Sequence, residues 1–168
     1  MESSIISLPQ RLGKVLEEKA EETGLLPDEL AVELLCESLN GELDPEDLVD
    51  HYQALSEKYL KDAQELLSKE DFVQASEKLW GTTASTVKMA AAKRDLKLER
   101  HGSLWSFING ISKETGDKDF IRFFGEANAL HRNFYENEME KESVETLAED
   151  IEQLIAKLKR VQIFYCIS

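Results

Sequence analysis

Apolar positions along the chain recur mostly three and four residues apart, so the pattern predicts helices. A short extended segment, Ser4-Ile5-Ile6-Ser7-Leu8, comes first and is ended by Pro9. Leu12, Val15, Leu16 and Ala20 then share one face of a helix expected over 9–23, and Gly24 supplies its stop. Pro27 stands at a natural first helical position, and Leu30, Ala31, Leu34, Leu35 and Leu39 form the next stripe up to Asn40-Gly41. Residues 1–43 therefore read as strand, helix, helix. Asp44-Pro45-Glu46-Asp47 opens a second part, 44–168, with an N-cap, a proline at the first helical position and an acidic first turn. Leu48, Tyr52, Leu55, Tyr59, Ala63 and Leu66 carry that helix to Ser68-Lys69-Glu70. The next helix carries Phe72, Ala75, Leu79, Thr83, Thr86, Val87 and Ala90; its Gly81, Ala84 and Ser85 leave room for another backbone. Ser103 reads as the cap of a short helix through Leu104, Phe107, Ile108 and Ile111 that ends near Gly116. A helix follows from about Lys118 to Met139. The last runs from Ser143 to Val161, with a heptad-like seam, and an apolar tail, Ile163-Phe164-Tyr165-Cys166-Ile167, is expected to dock. The predicted fold is all-α: an up-and-down helical bundle preceded by a short strand-helix-helix module.

Composition narrows the function classes. With 42% hydrophobic and 32% charged residues and three prolines, the chain reads as soluble and helical. A formal charge of −14 argues against a general nucleic-acid coat or an anionic membrane surface, because the field of the whole molecule repels phosphate. No apolar run approaches the roughly 20 residues that span a bilayer, and Met1-Glu2-Ser3-Ser4 does not read as a signal peptide. Cys36 and Cys166 fit neither a disulfide framework nor a metal knuckle, which points to a reducing cytoplasm. There is no His-x-x-x-His or Glu-x-x-His ligand set and no glycine-rich phosphate loop, so neither a metal nor a cofactor is expected.

A lone strand in the first part has no partner within its segment, and the same strand of a second chain would satisfy it. Ile6-Ser7-Leu8-Pro9 entering one helix and Glu22-Thr23-Gly24-Leu25 before the next resemble a ribbon-helix-helix module. That resemblance implies a homodimer with an antiparallel ribbon whose outward residues read DNA. The outward positions here are Ser3, Ile5 and Ser7, none basic, with Arg11 and Lys14 the nearby cations. The segment is therefore expected to dimerise, and a DNA-binding regulator is the alternative.

Three further strings, Gln74-Ala75-Ser76-Glu77-Lys78-Leu79-Trp80, His101-Gly102-Ser103-Leu104-Trp105-Ser106-Phe107 and Leu130-His131-Arg132-Asn133-Phe134-Tyr135-Glu136, resemble the archaeal PaREP family, placed among the HEPN helical domains. The resemblance covers residues 51–140 and implies a helical bundle, commonly dimeric. Some HEPN members cut RNA without metal, and others bind nucleotides or a protein partner. The RNA-cutting members carry an arginine, then a histidine after four to six intervening residues. Arg94 and His101 fit that pattern by count; His131 and Arg132 stand in the reverse order.

Two constellations carry candidate chemistry. Lys88, Lys93, Arg94, Lys97 and Arg100 form one basic island that ends at His101. Lys93, Lys97 and Arg100 share a face if the helix persists, suited either to a phosphate with an imidazole beside it or to plain solvation. His131 lies near the middle of a buried stripe, flanked by Asn128, Arg132 and Tyr135. A buried imidazole needs a partner, so this set reads either as a pocket for a phosphate or nucleobase or as a network that fixes helix register. Trp80 and Trp105 read as core anchors. The leading expectation is a homodimeric, non-catalytic module that binds a nucleotide, RNA or a protein partner. A metal-independent RNase using Arg94 with His101, or His131 with Arg132, is the alternative.

Overall fold

The computed structural model describes residues 4–99 and 101–167, with side chains from 4 to 99 and from 102 to 161. Among these residues there are seven helices: α1 (Gln10–Thr23), α2 (Pro27–Leu39), α3 (Pro45–Ser68), α4 (Phe72–Ala92), α5 (His101–Thr115), α6 (Asp119–Glu136) and α7 (Lys141–Ile167). The helical bundle is as the periodicity predicts. The strand-helix-helix module is not: residues 4–9 adopt no regular structure, and no strand occurs among the described residues. A strand exists through its ladder, and among the described residues no segment pairs with these. Ile5 stands 93% exposed. Of the predicted outward positions, Ser3 lies outside the described residues.

The helix ends follow local chemistry. Gly24 closes α1 in the left-handed region at φ 72°, where a glycine has no Cβ to strain. Asp44 caps α3, its carboxylate accepting the Asp47 N–H at 2.9 Å, and Asp71 caps α4 by accepting from the Gln74 N–H at 3.1 Å. α5 begins at His101, two residues before the predicted cap Ser103, and α7 runs on through the apolar tail to Ile167. The tail's side chains lie outside the described residues.

α4 is the central rod. From Leu79 to Ala92 every residue is buried, which a helix achieves only when neighbours surround it. Leu79, Val87, Ile108, Phe124, Leu130, Ile151 and Leu154 fill the main core between α4, α5, α6 and α7. Small residues let α3 approach closely: the Gly81 backbone lies against the Tyr59 ring, where an added Cβ would sit 3.0 Å from a ring carbon. Beside it, the Ser56 hydroxyl lies 2.6 Å from that of Thr86, and the Thr82 hydroxyl donates to the Ser56 carbonyl at 2.9 Å.

The α1–α2 hairpin docks on this bundle through a second core of Leu26, Tyr52, Leu55, Tyr59, Met89 and Ala92. A buried ion pair reinforces it. Lys88 donates to both carboxylate oxygens of Glu29 at 2.6 and 2.7 Å, with the two side chains 6% and 3% exposed. Burial, and then the same carboxylate, push the Tyr52 phenol well up from its ordinary value. Docking in this way sets α1 and the α1–α2 turn over one end of α4 and α6.

Candidate functional site

A cleft of about 480 Å³ opens where the hairpin meets the bundle. Its floor comes from Tyr59 of α3, Glu77, Lys78 and Trp80 of α4, and His131, Phe134 and Tyr135 of α6. Its rim comes from Lys14, Glu17, Glu18 and Glu21 of α1 and Leu25 of the turn. His131 is one of the floor residues. Its Nδ1–H donates to Glu77 Oε2 at 2.9 Å, because a carboxylate can only accept. Its ring stacks on Trp80, with centroids 5.0 Å apart and planes 28° apart, and meets the Tyr135 ring edge-on at 5.4 Å. Tyr135 in turn packs edge-on against Phe134 at 4.9 Å. His131 is not buried as predicted: its side chain is 32% exposed, the buried stripe of α6 runs through Leu130 and Asn133 instead, and its partner is Glu77, 54 residues away in sequence.

Charge in the cleft is predominantly negative, and Tyr135 reports it. Its phenol is pushed up to about 12, first by burial and then by Glu77 and Glu21. Tyr59, buried on the floor, is raised further by burial and then by surrounding carboxylates, Asp28 before Glu77. Lys78 holds its ammonium 5.0 Å from the centroid of the Tyr59 ring, within cation–π range.

The other predicted site residues are placed elsewhere. Arg132 is exposed and pairs along its own helix and beyond it, with Glu136 at 2.7 Å and Glu138 at 3.1 Å. The Asn128 side-chain amide donates to the Phe124 carbonyl at 2.8 Å. Lys88 is sealed in its pair with Glu29. α4 ends at Ala92, and Asp95 takes a left-handed φ of 57°, so the basic island does not continue as one helical face. Arg94 forms a fork on the Glu114 carboxylate at 3.0 and 3.1 Å and lies 5.6 Å from the Phe107 ring centroid. Lys97 lines a different hollow, with His51 and Glu99. Arg100 and the His101 side chain lie outside the described residues. Of the predicted set, the cleft brings together His131 and Tyr135; it adds Glu77, Tyr59, Lys78 and the α1 carboxylates. Glu77 and Trp80 stand in the string Gln74–Trp80, which was legible as a block but not as partners of His131.

Among the described residues no group of His, Cys, Asp or Glu is arranged to hold a metal ion, and no helix is long and apolar enough to cross a membrane. Comparison with known proteins returned no curated protein and no solved structure as a match. Residues 51–155 match the description Archaeal PaREP1/PaREP8 family. That span runs from α3 into α7 and includes the cleft floor, while the α1 rim lies before it. With well over half of its length matched, the chain belongs to the Archaeal PaREP1/PaREP8 family.

Proposed function

We propose that the protein is a non-catalytic binding module that receives its ligand in the cleft beside His131. The carrying observation is the convergence of Tyr59, His131, Phe134 and Tyr135 with the Glu77 carboxylate on one concave surface, a lining of rings with a few polar groups that suits ligand capture. Catalysis on RNA needs an imidazole and a cation at one phosphodiester. Here Arg132 turns away to Glu136 and Glu138, so the guanidinium that stands next to His131 in sequence is not offered to the cleft, which supports binding without turnover. Of the nucleotide, RNA and protein-partner classes, the cleft's carboxylates favour a ligand that enters with a base, an amine or a side chain over one that enters with a phosphate.

The division of labour in this reading gives residues 44–168 the floor of the site, as a HEPN-like bundle, a reading supported by the resemblance of three strings, with the rim supplied by α1 and the turn after it. Residues 1–43 serve self-association in a reducing cytoplasm. Most of the large exposed apolar side chains fall in residues 5–43, among them Leu12, Val15, Leu35 and Leu39, the last 75% exposed. Such a concentration marks an interaction face. α1 carries Arg11 and Lys14 in its first half and Glu17, Glu18, Glu21 and Glu22, with Lys19 among them, in its second, so two antiparallel copies would oppose a basic half to a net acidic one, a self-complementary pattern suited to a two-fold homodimer.

A thermal-shift panel of mononucleotides, single-stranded RNA, alkylamines and basic peptides tests the site. At least one class raises Tm saturably in the wild type and not in Tyr135→Leu. A panel without effect, or equal shifts in both proteins, refutes the reading. Sedimentation equilibrium tests the self-association: a dimer is expected for the wild type and a single protomer for the double variant Leu12→Glu, Leu39→Glu.

A further inference from the structure

The cleft is lined by four carboxylates, Glu17, Glu18, Glu21 and Glu77, against two ammoniums, Lys14 and Lys78. Its walls are aromatic, and one wall already holds a cation: Lys78 lies over the Tyr59 ring. Trp80 is covered by His131, whereas Tyr135 is 48% exposed beside Phe134. Resting on the binding role proposed above, we infer that the cleft is an organic-cation site, seating an alkylammonium or guanidinium group against Tyr135 with Glu77 and Glu21 as counter-charges.

Three features of the cleft favour this class. A cation near an aromatic face is attracted by the ring quadrupole, and the attraction grows as water is excluded. Carboxylates from two separate elements, Glu77 on α4 and Glu21 on α1, both bear on the Tyr135 hydroxyl, so their fields overlap at that ring. With Nδ1–H committed to Glu77, a neutral His131 also offers Nε2 as an acceptor for an N–H donor. An anion meets the reverse of all three. The volume, about 480 Å³, suits a short amine or one basic side chain. The family match covers the floor and not the α1 rim, so the charge that completes the site comes from the docked hairpin.

The same chemistry has two sources, a free alkylamine or a basic side chain of a protein, and calorimetric titration separates them. The full-length protein is titrated with cadaverine, with a glycine-flanked lysine peptide and, as the opposing class, with adenosine monophosphate. At least one of the two cationic probes is expected to bind saturably, with affinity reduced fivefold or more by Tyr135→Leu and by Glu21→Gln. Both changes lie on exposed positions and leave the core intact. Tighter binding of cadaverine assigns a free amine, and tighter binding of the peptide assigns a partner's side chain. Because the chain carries a net charge of −14, cations also gather on its surface. Amine binding that is equal in both variants is surface condensation and overturns the inference. Nucleotide binding weakened by the same variants, with no amine binding, overturns the cation class while leaving the cleft as the site. Silence from all three probes overturns the inference, and the thermal-shift panel then decides the cleft itself.

Discussion

Replacing Glu29 by leucine is expected to destabilise the protein by about 3–5 kcal/mol, the usual cost of leaving one charge of a buried pair uncompensated. The Lys88 ammonium holds both oxygens of Glu29 at 2.6 and 2.7 Å, and the pair is nearly closed to solvent at 6% and 3% exposure. Around it stand Tyr52 and the apolar side chains that seat the hairpin, so loss of the carboxylate leaves the Lys88 ammonium in largely apolar surroundings. For a chain of this size a loss of 1 kcal/mol lowers Tm by roughly 2–4 °C, giving a fall on the order of 6–20 °C. The paired replacement Glu29→Leu with Lys88→Met removes both charges and their desolvation together, and is expected to recover most of that loss. Urea unfolding of the wild type, the two single variants and the double variant measures the cycle. A single variant within 1 kcal/mol of the wild type, or a double variant no more stable than the singles, refutes the reasoning.

Three further outcomes follow from the packing and the electrostatics. Asn133→Ala is expected to cost ~3 kcal/mol in urea unfolding: the fully buried amide donates to Ser76 Oγ at 2.9 Å and accepts the N–H groups of Glu138 and Met139 at 3.0 and 2.8 Å, tying off the exit of α6. Gly81→Ala places a methyl 3.0 Å from the Tyr59 ring; overpacking of about 1–3 kcal/mol exceeds the ~1 kcal/mol of helix propensity gained, so the thermal midpoint falls. Glu126 is pushed up to about 7, first by burial and then by Asp150 and Asp119, from an ordinary value of 4.5. The native chain therefore binds more protons than the unfolded chain between those two values, and stability declines as pH rises through that window. Glu126→Gln is expected to flatten the decline and to raise the urea midpoint above pH 7 relative to the wild type.

The helices were legible because their signals are local. Pro27, Asp44-Pro45 and Gly24 mark ends through their own backbone preferences, and periodic apolar residues mark the buried faces of α3 and α6, whereas Leu12, Val15, Leu34, Leu35 and Leu39 of the α1 and α2 stripes stand exposed. The extended segment before Pro9 failed as a strand because strand formation depends on a partner that its own residues do not specify. The basic island also shows the limit. Lys88 reads as one of a series by proximity in sequence, yet its place is fixed by Glu29, 59 residues earlier. In the same way the stripe through Phe120, Phe124 and Ala127 marks His131 as needing a partner, but periodicity cannot say that Glu77 supplies it. The α1 rim was hidden for a further reason: its glutamates look like any solvated helix face until the hairpin is docked.

The proposed function requires that the cleft be occupied, and the two tryptophans provide a direct readout. Trp80 underlies His131 at the site, whereas Trp105 packs on Phe124 and does not line the cleft. Titration of isotopically labelled protein with whichever of cadaverine and the lysine peptide binds more tightly, followed by the two indole N–H signals and the backbone amides, locates the ligand. The prediction is a saturable shift of the Trp80 indole and of the amides of Lys14, Glu77 and Tyr135, with the Trp105 indole unmoved. Shifts scattered over the acidic surface, or a Trp80 signal that stays fixed while the ligand binds, contradict it.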